Sequence, residues 1–481
     1  MRRKTTYDKV LFGTFVLLSF LPMLQGRFHL IPLKALEGVT VKTGKPTFSF
    51  EAYRSGDFAK QEEAYLGENF GFRESAIRLY NQYLWDFYRK TYVSPNILTF
   101  GKDGWLYESI FVEDYYQSRS YVLSPDSAEV AEKFKAEAKR VYQLQHILHD
   151  CGTELLVALL PGKDLVYPEH LPDNKEYTKE KKITAREFFG QEYERLGINH
   201  INVEQWFLQM KDTADFLLFP QTGTHWSMMA SVYAADSLFK YMEALKGCNM
   251  HNLIIRKQHV EKAHNPDHDL ESLLNLIRPL KRMPLHYAKV DADTDTTAIK
   301  PKLITVGDSF WWNILYQVPM KKVFSVWPYW YYNSIVYYNT NVYHDDIPLT
   351  DSEPMPVKDL DMVKELLSAD FVLLSYCSAQ LYIMNNNFTK QALIACCYDP
   401  EEVDSIRDAL RTNITNAPEW MEGIKDQAKA MGQEIEQTIE TNIDYLIYLN
   451  PEKYFLALAD SIPAKRSRHF TEVFQKKQSK P

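Results

Sequence analysis

Two short stretches, far apart in the chain, carry residue types suited to acyl transfer. Gly307-Asp308-Ser309 follows the apolar run Leu303-Ile304-Thr305-Val306, and Phe310-Trp311-Trp312 continue as a helix start would. That order places a serine on a strand-to-helix turn. Unpaired backbone N–H groups at such a turn can hold the oxygen that becomes negative when the serine attacks an ester carbonyl, and Gly307 lets the chain turn tightly. By itself the tripeptide fits an ordinary helix cap just as well, with Asp308 or Ser309 accepting from the first turn. The second stretch, Thr222-Gly223-Thr224-His225-Trp226-Ser227, runs directly into a helical pattern. A histidine fixed between a loop and a helix start, with Trp226 beside it to lock the ring, is placed as a general base has to be. A lone histidine is more often structural. Paired with Ser309 at the mouth of one sheet, His225 reads as the base of a nucleophile–base pair.

Further side chains cluster around the same region of the pattern. Lys163 and Tyr167 follow a strand ending at Leu160 and, with Trp226, are candidate substrate contacts; surface charge and edge packing is the competing reading. His264 and His268 stand four apart with Asp267 between them and Asp269 just beyond, a spacing that raises the question of a metal. The stretch is polar, contains Pro266 and lacks a clear helical period, so neither a metal nor any other cofactor is expected.

To position these residues the chain needs a sheet, and its apolar runs supply one. Leu155–Leu160, bounded by Gly152 and Pro161-Gly162, suits a strand buried on both faces. Similar runs occur at 200–203, 303–306, 323–326 and 371–375, interleaved with helical patterns such as 127–150, 227–245 and 357–367. Strands alternating with helices predict an α/β fold with a parallel sheet, whose ligands sit beyond the carboxyl ends of the strands. Earlier in the chain, Ala76, Leu79, Tyr80, Tyr83, Leu84, Phe87 and Tyr88 recur at helical spacing. Near the end, Ile424, Ala428, Met431, Ile435, Ile439 and Ile443 form an amphipathic stripe, read as a helix packed on the main domain. The basic stretch 465–481 reads as a solvated end.

Bulk properties narrow the function. The chain has 481 residues, a net charge of -8 and a pI near 6.0, without the basic face that a nucleic acid would require. The 31 Tyr and 9 Trp suit stacking on sugar rings, although packing accounts for most of them. Five cysteines form no CxxC pair and no disulfide scaffold. Arg2, Arg3, Lys4 and Lys9 precede the apolar run Val10–Leu24, which keeps the N-terminus cytoplasmic and sends the rest of the chain across the membrane. No A-x-A-like site appears near 23–27, so a retained anchor is favoured over a cleaved signal peptide. The expected layout is an anchor or signal segment over 1–26, a tether over 27–57, the α/β domain over 58–400 and a helical extension over 401–481.

Several blocks in a fixed order carry a family resemblance: Glu68-Asn69-Phe70-Gly71-Phe72-Arg73, Gly101-Lys102-Asp103-Gly104-Trp105-Leu106, Pro161-Gly162-Lys163 with Tyr167-Pro168-Glu169, Thr224-His225-Trp226 and Gly307-Asp308-Ser309-Phe310. Together they resemble the alginate O-acetyltransferase family of the AlgJ/AlgX type, from about residue 68 to 310 and more loosely to 375. The resemblance implies an SGNH-hydrolase-like fold, a parallel sheet flanked by helices, with insertions and a C-terminal helical extension. It further implies a periplasmic site, an acetyl-serine at Ser309, deprotonation by His225 and transfer to a polysaccharide hydroxyl. A membrane-embedded acyltransferase would commonly supply the acetyl group. In that family an aspartate two residues before the histidine orients it, and here that place holds Gly223. A carboxylate from elsewhere can substitute, with Asp269 and Asp267 as candidates and Asp308 in a supporting place. Alternatively the site runs as a Ser–His dyad held by a carbonyl, or the chain is an inactive, glycan-binding scaffold of an export complex. An esterase or deacetylase would use the same residues with water as acceptor.

Overall fold

The computed structural model describes residues 6–38, 44–93, 96–116, 127–173, 183–260, 262–263, 266–340 and 353–479. Arg2, Arg3, Lys4, His264, Asn265 and Lys480 therefore lie outside the described residues. The chain divides into two compact units, one made of Met1–Thr99 with His268–Arg282, the other of Phe100–Asp267 with Met283–Pro481.

The first unit begins with helix α1 (Thr6–Phe28), followed by α2 (Phe50–Ser55), α3 (Asp57–Glu68) and α4 (Arg73–Tyr88). Its apolar stretch Tyr7–Phe28 is 22 residues long, about 33 Å at the helical rise of 1.5 Å, enough to cross a bilayer core of about 30 Å. Residues read as an open tether are fastened within this unit. Arg78 donates to the carbonyls of Lys34 and Ala35 at 2.9 and 2.7 Å, and Asn275 exchanges hydrogen bonds with the backbone of Glu37.

The second unit is built on a seven-stranded sheet. Its strands are β1 (Glu154–Leu160), β2 (His200–Asn202), β3 (Leu303–Gly307), β4 (Tyr329–Tyr331), β5 (Ile335–Tyr337), β6 (Met355–Pro356) and β7 (Phe371–Cys377), in the spatial order β6-β5-β4-β3-β7-β1-β2. From β4 to β2 every pairing is parallel, and β5 and β6 add an antiparallel edge. The α/β architecture expected from the apolar runs is thus present. Every residue of β1 and β7 is buried, as strands covered on both faces require. Period-two alternation divides their side chains between two cores. Leu156, Ala158 and Leu160 join one, with helix α5 (Met228–Lys246) and helix α6 (Trp311–Gln317); Leu155, Val157 and Leu159 join the other, with Phe134 and Val141 of the helix Ala128–His149.

Three local expectations are corrected. The run 323–326 is not a strand: Met320–Val323 is a helical turn, Val326 makes only an isolated bridge to Lys302, and the sheet takes Tyr329–Tyr331 instead. The stripe from Ile424 to Ile443 is two helices, Pro418–Met431 and Ile435–Leu449, because Gly432 at φ 63° turns the chain between them. Ile424, Ala428, Ile439 and Ile443 are buried, whereas Met431 and Ile435 at the break are exposed. Much of the basic C-terminal stretch is the helix Arg468–Gln478, capped by Ser467 and anchored by the buried Phe470. These helices belong to the same compact unit as the sheet.

Candidate active site

Strands β3, β7 and β1 end side by side in that order, and the serine turn grows from β3. At Gly307 a Cβ would fall 2.4 Å from the Ser375 carbonyl oxygen, so only glycine allows β3 to approach β7 this closely. Asp308 N–H then donates to that same carbonyl at 3.1 Å. The fully buried Asp308 carboxylate accepts from Cys377 N–H at 2.6 Å and from Phe310 N–H at 3.1 Å. Burial pushes its pKa up, opposed by these hydrogen bonds and by the His225 charge. Asp308 therefore ties the turn to β7 and closes it locally.

The histidine loop reaches the same place from α5. Ser227 caps α5, its hydroxyl accepting from Ala230 N–H at 3.1 Å, and this fixes the helix entry two residues after His225. Trp226 is fully buried; its indole N–H donates to the Phe310 carbonyl at 3.0 Å, and its own carbonyl accepts from Asn313 Nδ2 at 2.9 Å. Those two bonds lock the histidine loop to the serine turn. His225 Nε2 lies 2.9 Å from Ser309 Oγ, within proton-transfer reach, and both side chains remain partly open to solvent. The Phe310 ring packs edge-on against the imidazole, with centroids 5.0 Å apart.

The other side chains singled out in the sequence take different places. Lys163 is buried, and its ammonium donates to the carbonyls of Leu106, Gln221 and Gly223 at 2.7, 2.9 and 2.8 Å, over the rings of Trp105 and Tyr107. Three charge-assisted bonds compensate the loss of water and hold the loop that carries His225. Lys163 is thus neither a surface charge nor turned toward an open mouth. Tyr167 is buried too, its hydroxyl accepting from Leu218 N–H at 3.1 Å. The structure brings Lys163, Tyr167 and Trp226 to the framework beneath the site, where they position backbone.

Gly223 occupies a crowded spot. A Cβ there would sit 2.8 Å from the Asp267 carbonyl oxygen, 2.9 Å from its carbon and 2.8 Å from Pro220 Cγ. Asp267 itself is 2 % exposed. The chain at 267 thus fills the space that a side chain at 223 would need. Asp269 belongs to the first unit, where it opens the short helix Asp269–Leu273 and accepts from Leu270 N–H. His268 lies in that unit as well, with Nδ1 3.0 Å from Ser272 Oγ. Among the described residues no cluster of three metal-ligating side chains occurs.

One site residue had no sequence signal. Tyr332 follows β4 with φ 47°, its N–H bonded to the Gly307 carbonyl at 2.8 Å, and its side chain lies near enough to Ser309 to interact with it. Burial, then the Asp308 charge, raise its pKa, and the interaction with Ser309 opposes them. Its place depends on a left-handed backbone at the end of a short strand, which an aromatic run such as Tyr329-Trp330-Tyr331-Tyr332 does not announce.

Residues 98–310 match the family model described as the SGNH hydrolase-like domain of the acetyltransferase AlgX, which supports the resemblance carried by the motifs over this segment. Among curated proteins none matches the chain. Among solved structures the chain is similar to the O-acetyltransferase domain of Pseudomonas putida AlgJ, at 17% identity over 64% of this chain and 97% of that one, with a TM-score of 0.38. It is also similar to Pseudomonas aeruginosa AlgX, at 11% identity over 62% and 66% of the two chains with a TM-score of 0.38. Bacillus cereus PatB1 with a sulfonyl adduct matches at 12% identity over 59% and 97%, with a TM-score of 0.35.

Proposed function

We propose that this chain, built around an SGNH hydrolase-like domain of the AlgX acetyltransferase type, is an O-acetyltransferase that carries an acetyl group on Ser309 and delivers it to a polysaccharide hydroxyl outside the cytoplasm. The 2.9 Å contact between Ser309 Oγ and His225 Nε2 is the observation that carries this reading. In the first half-reaction His225 takes the Ser309 proton as Oγ attacks the acetyl carbonyl of an activated ester, and the departing oxygen receives that proton. In the second half, a sugar hydroxyl gives its proton to His225 and attacks the acyl-serine; the imidazolium then returns the proton to Ser309. For the carboxylate that steadies the imidazolium the candidate is Asp267, a buried residue from another part of the chain whose backbone packs against Gly223. Helix α1 keeps the enzyme beside the membrane, where a membrane-embedded acyltransferase would hand over the acetyl group.

The test supplies the full chain with a chromogenic acetate and a panel of neutral and uronate oligosaccharides. The expected product is an oligosaccharide heavier by one acetyl group, formed by the wild type and lost by at least about 10³-fold in Ser309→Ala and His225→Ala. Free acetate alone, with no acetylated sugar from any acceptor, would replace the transferase reading by an esterase.

A further inference from the structure

Helix α4 is turned inside out. In a helix packed on a folded unit the apolar stripe faces inward and the polar face meets water. In α4 the two buried side chains are the polar Asn81 and Gln82, with Arg78, Ile77, Leu84 and Trp85 half-buried beside them and Asp86 in reach at the edge. Asn81 Nδ2 donates to the Leu274 carbonyl at 2.8 Å, Gln82 Oε1 accepts from Arg278 N–H at 2.9 Å, and Asp86 pairs with the Arg278 guanidinium. The opposite face carries Leu79, Tyr80, Tyr83, Phe87 and Tyr88, which are 65, 53, 49, 72 and 60 % exposed. These residues belong to the run that recurs at helical spacing in the sequence, and they are exposed.

Contiguous exposed apolar side chains of this size mark a surface that something covers. The arrangement of the unit favours a lipid surface. The turn that opens α4 touches the end of α1 backbone to backbone: a Cβ on Gly71 would lie 1.9 Å from the Pro22 carbonyl oxygen and 2.6 Å from Gly26 N. The start of α4 is therefore held at the level where the apolar stretch of α1 ends. Phe28 and Phe70, on either side of this junction, are 64 and 53 % exposed, so apolar surface continues from one helix toward the other. Tyrosines at the head of the bilayer place an apolar ring in the acyl region and a hydroxyl among headgroups, and the exposed Arg89 and Lys90 just after Tyr88 suit lipid phosphates.

We propose that α4 lies in the extracytoplasmic membrane–water interface, with its aromatic face in lipid. The proposal rests on the reading of α1 as a membrane anchor, so its test monitors both helices separately. The full chain carries Cys248→Ser, which removes the one cysteine that is not buried, and is reconstituted in vesicles of three parts phosphatidylethanolamine to one part phosphatidylglycerol. Single spin labels are placed through Leu17→Cys, Tyr83→Cys, Phe87→Cys and, as a water reference, Glu419→Cys. Collision rates with oxygen, which concentrates in lipid, are compared with those of a water-soluble nickel chelate. The proposal expects labels at 83 and 87 to favour oxygen several-fold over the label at 419, with the label at 17 deeper still. Position 17 in lipid with 83 and 87 matching 419 would overturn the interfacial helix and leave the anchor standing. Position 17 in water would remove the anchor and the proposal with it. Labels at 83 and 87 shielded from both reagents would show a protein cover and also overturn it.

Discussion

A serine hydroxyl is a weak nucleophile at its own acidity, and under the proposed reading the remedy at Ser309 is the imidazole nitrogen 2.9 Å away. The base in turn needs something to steady its positive charge. The family resemblance supplies an aspartate two residues before the histidine, and this chain supplies glycine, with the Asp267 backbone packed into the vacated volume. If Asp267 took over that task, Asp267→Asn would lower kcat by about 10³- to 10⁴-fold and distort its pH profile, because the amide keeps the size and loses the charge. Asp269→Asn would leave both near wild type, since Asp269 serves its own short helix. Steady-state rates between pH 5 and 9 for the two variants check this; equal, small losses would point to a dyad held by backbone. The serine and the histidine were legible in the sequence because each stands at a junction between an apolar run and a helix start. Tyr332 was not, since its contact with Ser309 arises from backbone geometry that no spacing encodes.

Among the elements, those buried on both faces were the easiest to read. Runs such as Leu155–Leu160 and Phe371–Leu374 have no polar position to disguise them, and both lie in strands. Val323-Phe324-Ser325-Val326 has the same composition, yet the chain closes a helical turn there and enters the sheet after Pro328. Tertiary pairing, with β3 already flanked by β7, decided the outcome over local preference. The helical spacing from Ala76 to Tyr88 does mark a helix, α4, but periodicity reports which residues share a face and says nothing about what that face meets. Lys163 shows how elements are tied together by one side chain. Its ammonium joins the short strand at Leu106 to the loop at Gln221 and Gly223, and Lys163→Met would remove a charged donor from three carbonyls, of which that of Gln221 keeps its bond from Leu106 N–H. The variant is expected to lose about 2–4 kcal/mol of stability and to lose activity as the histidine loop loosens. Urea unfolding together with kcat measures both; an unchanged unfolding midpoint would contradict this role.

For the molecule as a whole, buried carboxyl groups set the response to pH. Burial raises the pKa of Glu204 to about 7, despite its ion pair with Arg186 at 2.6 Å. In the unfolded chain the group ionises near its ordinary value, so as pH rises toward 7 the unfolded state loses a proton that the folded state retains, and stability falls. Asp164 and Asp308 are pushed the same way by burial. Thermal midpoints of the wild type should therefore decline from pH 5 to pH 7, and Glu204→Gln should decline less over the same interval. Parallel curves would show that Glu204 ionises normally. The chain also divides into two compact units, one holding α1 and the other the seven-stranded sheet. Ser309 and His225 lie in the second, while the first holds the helix long and apolar enough to cross a membrane.

The central claim is a covalent one, and intact-protein mass spectrometry reads it directly. After brief exposure of the full chain to a chromogenic acetate, then acid quenching and peptide mapping, one added acetyl group is expected on the peptide containing Ser309. The adduct should be absent from Ser309→Ala and strongly slowed in His225→Ala. An unmodified wild-type protein, or an acetyl group that survives Ser309→Ala at the same stoichiometry, would contradict the assignment of Ser309 as the nucleophile.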